Sequence, residues 1–279
     1  MNSDWQAFVA SQGATVADDD LVRFPDADPA PACALVDLSH LGLIRLSGED
    51  ARSFLQGQVT NDVRQLNPEH SQLNSICSPK GRMLANFRLF ERDGDLYLQL
   101  PRERAAMVAK RLQMFVLRAK VTLADVSDEL VRVGIAGQCA AGLLPAVPGE
   151  AAGSVCHAPP LTVIRHPGDT PRFELIGPAD AVTTFWERSA GQARPAVTAY
   201  GLGFQVAQNF PSPGHHLCRD SGQRGDLYAV ALVGGAILQA MEKHDAAFVF
   251  PGRHTQIHHP RQHQGQFCQF VIVGGEQGA

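Results

Sequence analysis

The chain contains few lysines, few aromatic residues and no CxxC motif. Only four of its 279 residues are lysine, and aromatic residues make up 7% of the sequence. Its net charge of -4 argues against broad electrostatic capture of nucleic acid or of an anionic membrane. The six cysteines include no CxxC pair, which favours reduced thiols over a disulfide framework.

Long apolar runs and targeting signals are also missing. The first residues, MNSDWQAFVASQG, show no basic region followed by an apolar one, so we predict no secretory signal. The longest apolar stretch, residues 228–240, is interrupted by Gly234, Gly235 and Gln239 and is too short to span a bilayer. We therefore expect a cytoplasmic protein with no membrane partner. The sequence contains neither a Walker loop nor a dinucleotide-binding fingerprint.

What remains is typical of a globular protein, with 44% hydrophobic and 19% charged residues. Residues 1–34 are acidic and rich in proline, and we predict a loosely ordered lead-in there. Organised structure is expected from residue 35. The segment Ser47-Gly48-Glu49-Asp50 has the spacing of a capping box, and the apolar positions that follow predict a short helix.

One order of elements occurs twice in the sequence. Strand-like residues 83–90, an Asp-Gly turn, strand-like residues 96–100 and Pro101 precede a helix whose apolar face includes Phe115. Strand-like residues 161–165 and 173–176 then precede Pro178 and a second helix. This repetition predicts an α+β fold of antiparallel sheets, each covered by helices on one face. We assign the two units to residues 35–126 and 127–195.

The composition and the hydrophobic periodicity of the chain change in its last third. Seven of the eleven histidines lie beyond residue 205, glutamine is frequent there, and the helical and strand periods fade. We therefore treat residues 196–279 as a divergent C-terminal segment. His254 and His258 have metal-ligand spacing, but no carboxylate lies within this cluster, so we assign no metal site.

Several motifs resemble the YgfZ-type folate-binding proteins, which are related to the glycine-cleavage T-protein. They are LSGEDA at 46–51, FLQGQVTNDV at 54–63, CSPKGRM at 77–83, NFRLF at 86–90 and KVTL at 120–123. The resemblance covers about residues 35–190. It implies sheet-and-helix subdomains around a central channel that binds tetrahydrofolate or another reduced folate. It also implies a role in iron–sulfur enzyme maintenance and tRNA thiomodification, with iron–sulfur enzymes as client proteins.

The sequence departs from this family pattern in two places. The catalytic T-proteins carry a pair of aspartates where this chain has Ala85 and Asn86. A neutral amide cannot act as a carboxylate base, so the resemblance implies the non-catalytic branch, and we assign no catalytic residue. The branch's C-terminal Lys-Gly-Cys motif is absent. The barrel expected at the C-terminus is therefore truncated or altered.

The resemblance also implies the residues that bind folate. Asn61 and Asn86 lie within the matching motifs, and Leu41 and Tyr200 are the nearest candidates for the ring contacts. A basic wall for the glutamate tail of folate is predicted from five residues, which are Lys80, Arg82, Arg88, Arg118 and Lys120.

Three alternatives remain open from the sequence. One is a tetrahydrofolate-dependent aminomethyltransferase, which Ala85 and Asn86 disfavour. Another is an RNA-binding module that uses a basic groove, which the acidic net charge disfavours. The third is a change of reading frame near residue 200, which would explain the altered C-terminal texture and the missing cysteine motif together.

Overall fold

The computed structural model describes residues 1–18, 20–25, 27, 31–79 and 81–196, and the backbone of four short strands beyond them. The helices are α1 Ser3–Ser11, α2 Ala51–Gln56, α3 Arg102–Gln113, α4 Ala140–Leu143 and α5 Ala179–Ser189, with a 3-10 turn at Val63–Gln65. The first eight strands are β1 Thr15–Val16, β2 Val22–Arg23, β3 Cys33–Asp37, β4 Leu41–Ser47, β5 Gln72–Cys77, β6 Met83–Arg92, β7 Asp95–Pro101 and β8 Thr122–Asp125. The others are β9 Val131–Gly137, β10 Val155–Ala158, β11 Leu161–Arg165, β12 Arg172–Gly177, β13 Arg194–Pro195, β14 Val230–Val233, β15 Ala236–Gln239, β16 Phe248–Phe250 and β17 Arg253–Thr255.

Two sheets form the body of the described chain. The first sheet has the strand order β5-β6-β7-β4-β8 and is antiparallel throughout. The second has the order β10-β11-β12-β9-β3-β13, in which only the β13–β3 pair is parallel. The β14–β15 and β16–β17 pairs form separate two-stranded sheets. The prediction of an α+β fold with antiparallel sheets is confirmed, and the sheets of the described residues do not close into a barrel.

The two large sheets pack against each other, with helices on their outer sides. One core contains Leu55 of α2 and Val108 of α3, which pack on residues such as Phe87 of the first sheet. Another contains Trp5 of α1 and Trp186 of α5, which pack on the second sheet. A third cluster joins the sheets directly, because residues from β4, β6 and β7 contact residues from β10, β11 and β12. We call the sheet faces that meet there the inner faces.

The repeated unit is confirmed in both halves. In the first unit, Asp93 and Gly94 both have positive φ in the β6–β7 turn, as the Asp-Gly signal predicts for a tight hairpin. Pro101 then occupies the N-cap of α3. In the second unit, β11 and β12 are antiparallel neighbours, and Pro178 is the N-cap of α5. Proline suits a helix start because its missing N–H would have no intrahelical acceptor there.

The predicted capping box at Ser47 is wrong. Ser47 is the last residue of β4 and pairs with Thr122, and the N-cap of α2 is Asp50. The Asp50 side chain does not cap the helix. Its carboxylate accepts a hydrogen bond from the Lys120 N–H instead, at 2.8 Å. Pairing of β4 with β8 therefore takes precedence over the local capping pattern.

Two other expectations also differ from the structure. The predicted lead-in contains the ordered helix α1, whose Trp5 is completely buried and donates its indole N–H to Asp37 at 2.6 Å. Phe115 does not continue the apolar face of α3, because the helix ends at Gln113 and the Phe115 side chain is 45% exposed. The contact between Trp5 and Asp37 orders α1 despite its local composition. Phe115 lies beyond the end of α3, so its side chain is not buried with the apolar face of that helix.

The cysteine expectation is wrong for one pair. Cys33 and Cys139 form a disulfide, with their Cα atoms 6.0 Å apart. They come together because β3 and β9 are neighbours, and Cys33 is in register with Gly137, two residues before Cys139. Cys156 is a free thiol.

The predicted divergent segment, residues 196–279, lies outside the described residues except for Ala196 and the backbone of β14 to β17. The unit boundaries at residues 35, 126 and 195 stay a prediction. No helix in the described part of the chain is long and apolar enough to cross a membrane.

Candidate functional site

The candidate site lies on the inner face of the first sheet, where alternation along β6 decides which side chains point inward. Ala85 and Phe87 are buried in the core beneath α2 and α3. Asn86 and Arg88 occupy the opposite face, toward the second sheet. Of the two neighbours Ala85 and Asn86, only Asn86 therefore faces inward.

Strand register sets the neighbours of Asn86. It pairs with Ser75 of β5, whereas the pairing of β6 with β7 begins only at Arg88. β6 thus extends beyond β7, and the inner face stays partly accessible there. Asn86 and Ser75 are half-buried, and Leu73 is 38% exposed. We call Leu73, Ser75 and Asn86 the accessible edge.

Asn61 is the predicted site residue that flanks this edge. Its side-chain amide donates to the Leu73 carbonyl at 2.6 Å, and its backbone N–H donates to Asn74 Oδ1 at 2.9 Å. The motif around Asn61 therefore fixes a loop along the outer strand β5. This position places the loop beside the accessible edge.

The other predicted residues are placed differently. Arg82 is exposed in the turn between β5 and β6, where its N–H donates to Ser78 Oγ at 3.1 Å. Leu41 is completely buried in a cluster with residues of β3 and β9, including Val36 and Ala136. Lys80 and Tyr200 lie outside the described residues.

The predicted basic wall divides between different parts of the protein. Arg88 is buried and faces the second sheet. Lys120 is exposed beside the start of α2, where its ammonium contacts Glu49 at 2.7 Å. Arg118 is also exposed, in the segment that follows α3. The described members of the wall therefore do not line one surface.

Arg88 belongs instead to a buried polar network between the sheets. Its Nη1 donates to Ser71 Oγ at 2.9 Å. Gln99 of β7 lies directly opposite Arg88 on the neighbouring strand. It donates a hydrogen bond from its side-chain amide to Glu174 of β12. Glu174 also accepts from His166 Nε2 at 2.9 Å, and its side chain has no exposed surface. A carboxylate only accepts, so Nε2 is the protonated nitrogen of that imidazole.

Burial governs the electrostatics of this network. It lowers the pKa of Arg88, which the charge of Glu174 partly offsets. Burial also lowers the pKa of His166 below 6.5, and the charge of Arg88 lowers it further, so the imidazole is neutral at pH 7. Two buried atoms of this network, Arg88 Nε and Gln99 Oε1, have no hydrogen-bond partner among the described residues. The network therefore keeps one spare donor and one spare acceptor.

We did not predict Gln99, His166 or Glu174 as site residues from the sequence. Glu174 carried a signal, because it is a single carboxylate in an otherwise apolar strand, between Phe173 and Leu175. A charge in such a strand is buried only when it is paired. Its partner on β7 is 75 residues away in the chain, and no local pattern identified it.

Comparison with known proteins supports the resemblance found in the sequence. The family described as GCVT N-terminal domain matches residues 30–159, which include the accessible edge and Arg88. A tRNA-modifying protein YgfZ from Klebsiella pneumoniae is 31% identical over 197 residues, covering 67% of this chain and 59% of the relative. The resemblance to the YgfZ type of GcvT-like proteins is confirmed. A second YgfZ, from Colwellia psychrerythraea, is 29% identical and covers 60% of this chain and 52% of the relative.

A solved structure shares the fold. The glycine cleavage system aminomethyltransferase T from Bartonella henselae superposes with a TM-score of 0.58 at 17% identity. The match covers 69% of this chain and 57% of that protein. The YgfZ relatives named above likewise match this chain over less than two thirds of their own length.

Proposed function

We propose that this protein binds a reduced folate, tetrahydrofolate or a close derivative, at the accessible edge without chemical turnover. The observation that carries the proposal is the placement of Asn86. It lies within the residues that match the GCVT N-terminal domain and pairs with Ser75, and by resemblance it takes the place of a carboxylate of the catalytic T-proteins. A bound folate would supply a carrier of one-carbon groups, and the residues of this chain would hold and orient it.

The chemistry of the residues present fits a folate. A pterin ring presents hydrogen-bond donors and acceptors along one edge, and the Asn86 amide offers both. The spare Nε of Arg88 and Oε1 of Gln99 add a buried donor and a buried acceptor. The exposed Arg82 guanidinium suits a carboxylate of the glutamate tail. Asn61, Leu41, Lys80 and Tyr200 stay in the proposed site by resemblance.

We propose a physiological role in tRNA modification and iron–sulfur enzyme maintenance in the cytoplasm. The curated relatives are named tRNA-modifying proteins, which supports the first part of this role. Client iron–sulfur enzymes are proposed as partners by family resemblance. Neither alternative function, aminomethyl transfer or RNA binding through a basic groove, is favoured by the comparisons.

Calorimetric titration of the full chain with folinic acid tests the binding proposal. We expect saturable binding that is weakened by Asn86→Leu, which removes both amide groups, and by Arg82→Glu, which repels the glutamate tail. Arg23→Glu is the matched control, because Arg23 is an exposed arginine on β2, outside the proposed site. No heat above dilution from protein that is folded by circular dichroism would contradict the proposal.

A complementation assay tests the physiological role. The chain would be expressed in a bacterial strain that lacks its own YgfZ-type protein, and modified tRNA would be quantified by mass spectrometry. Restored thiomodification would support the role and show that the missing cysteine motif is dispensable. Unchanged tRNA, from cells that contain folded and folate-binding protein, would reject the role while leaving the folate proposal intact.

A further inference from the structure

The C-terminal end of α3 carries an unusual concentration of exposed apolar side chains. Leu117 is 86% exposed, Met114 61% and Phe115 45%, and Met107 lies one to two turns earlier with 39% exposure. Backbone hydrogen bonds from Phe115 to Leu112 and from Val116 to Gln113 continue the turn beyond the helix. We call this region the α3-end surface, and its members are Met107, Lys110, Arg111, Met114, Phe115, Leu117 and Arg118.

The charge of this surface has one sign. Its charged members, Lys110, Arg111 and Arg118, are all basic, in a chain with 28 acidic and 24 basic residues overall. Arg111 is fixed in place, because it donates to the Cys77 carbonyl at 3.3 Å and lies over the Phe115 ring. The surface thus combines apolar side chains with cations, a composition that is enriched at protein interfaces.

The side chains favour a protein partner over RNA. Single-stranded RNA is held by stacking of bases on exposed aromatic faces. Phe115 is the one aromatic residue of the surface, and the Arg111 guanidinium lies over its ring at 5.5 Å from the centroid. Met107, Met114 and Leu117 offer flexible aliphatic contacts, which suit apolar side chains of another protein.

Residues 197–279 do not complement the charge of the surface. Residues 197–279 contain five acidic and five basic residues, so they carry no net negative charge toward the cations of α3. Electrostatic complementarity therefore points to a separate molecule.

We propose that the α3-end surface docks an acidic amphipathic segment of a partner protein. The apolar side of that segment would cover Met114 and Leu117, and its carboxylates would face Lys110 and Arg118. This surface belongs to the helix-covered outer side of the first sheet, whereas Asn86 and Arg88 face inward. Docking is therefore independent of folate binding, and each proposal can fail alone.

Fluorescence anisotropy with defined probes tests this proposal. The main probe is a labelled 18-residue helical peptide with leucines on one face and glutamates on the other. The comparison probes are the same peptide with lysine for glutamate, an RNA hairpin, and vesicles of phosphatidylglycerol. We expect the full chain to bind the acidic peptide, with weaker binding as salt is raised.

Variants locate the binding surface. Leu117→Asp is expected to weaken peptide binding by more than about tenfold, the effect of losing one central apolar contact. Arg118→Glu should weaken it and reduce its dependence on salt. Val147→Asp is the matched control, because Val147 is also an exposed apolar residue, at 52%, but lies in a loop after α4. Leu117 is so exposed that its substitution leaves folding intact, which thermal unfolding would verify.

Other outcomes would overturn the proposal. Peptide binding that is unchanged in Leu117→Asp, or equal for the acidic and the lysine peptide, would reject this surface as an acidic-segment dock. Binding of the RNA hairpin or of the vesicles in place of the peptide would assign the surface to nucleic acid or to lipid. Absence of binding to every probe would also reject it.

Discussion

At the scale of single residues, the proposal of folate binding without turnover depends on the Asn86 amide. An amide neither takes up a proton nor carries the negative charge that stabilises a developing cation. Ala85 cannot replace it, because that side chain faces the core beneath α2 and α3. The inward position at Asn86 therefore carries no acid–base group.

We therefore expect no aminomethyl transfer by the wild-type protein. A positioned carboxylate contributes about a hundred-fold to ten-thousand-fold in rate, and that contribution is absent here. The measurement is ammonia release from an aminomethylated carrier protein, with and without tetrahydrofolate, using an active T-protein as the positive control. Folate-dependent ammonia release above the uncatalysed rate would overturn the non-catalytic assignment.

His166 gives the protein a predicted dependence of stability on pH. Burial, then the charge of Arg88, holds the pKa of the folded imidazole below 6.5. The unfolded chain takes up a proton near pH 6.5, and the folded chain does so only at lower pH. The stabilisation from neutral His166 is therefore complete above pH 6.5 and is lost as pH falls below that value.

Urea unfolding at pH 7.5 and pH 5.5 measures this effect. We expect the wild-type protein to lose about 1 kcal/mol more stability between these values than His166→Gln, whose amide keeps a donor for Glu174 but does not titrate. His70→Gln is the control, because His70 is exposed. If wild type and His166→Gln lose stability equally, His166 does not control the pH response.

At the scale of elements, the joint between β4 and α2 depends on close approach to the chain before β8. Gly48 has a φ of +114°, and a Cβ there would collide with the Lys120 carbonyl. Asp50 accepts a hydrogen bond from the Lys120 N–H at the same place. Both contacts hold the start of α2 against the chain just before β8. The Asp50 carboxylate therefore bonds to Lys120 and does not cap the helix.

Alanine substitutions at Gly48 and Gly94 distinguish two contributions to the loss of stability. One is the collision of the new Cβ with Lys120, and the other is backbone strain at positive φ. Gly94, in the β6–β7 turn, also has a positive φ of +82°, but no atom lies within 4 Å of the position that a Cβ would take there. We expect Gly94→Ala to cost about 1 kcal/mol from φ strain alone. Gly48→Ala should cost about 3 kcal/mol or more, because the Lys120 backbone must also move. Urea denaturation measures both, and equal losses would show that the close approach is unimportant.

At the scale of the whole molecule, contacts between the sheets join segments that are distant in sequence. Arg92 of β6 donates to the carbonyls of Pro160 and Ile176 at 2.8 and 3.0 Å. Strand β13 returns to pair with β3, and the Ala196 N–H donates to the Leu35 carbonyl at 2.8 Å. The described members of the two helix-covered cores and of the inner faces lie within residues 1–196.

A fragment of residues 1–196 should therefore fold by itself. We expect a single cooperative urea transition, because the fragment contains both cores and every strand of the two large sheets. A fragment of residues 1–190 is the control, since it lacks β13 and the buried Ala193 and Ala196. We expect it to be less stable by about 2 kcal/mol. A fragment of residues 1–196 that does not unfold cooperatively would show that later residues are needed for the fold.

The local elements of this protein and its resemblance to the YgfZ type can be predicted from the sequence alone. The Asp-Gly turn, the alternation along β6 and the proline before each of two helices are local patterns, because each depends on backbone preferences within a few residues. These patterns predicted the repeated unit around Pro101 and Pro178 correctly. The motifs between residues 46 and 123 predicted the resemblance to the YgfZ type for the same reason, since each motif is a contiguous stretch of the chain.

Long-range contacts in the folded chain determine which of these residues meet. Strand pairing turned Asn86 inward and Ala85 into the core, and it brought Gln99 to Glu174 across 75 residues. Packing on the second sheet ordered α1 through Trp5, in a stretch whose composition predicted little order. These outcomes depend on burial and on partners that are remote in sequence. Neither is encoded in the spacing of neighbouring residues, so they follow from the fold as a whole.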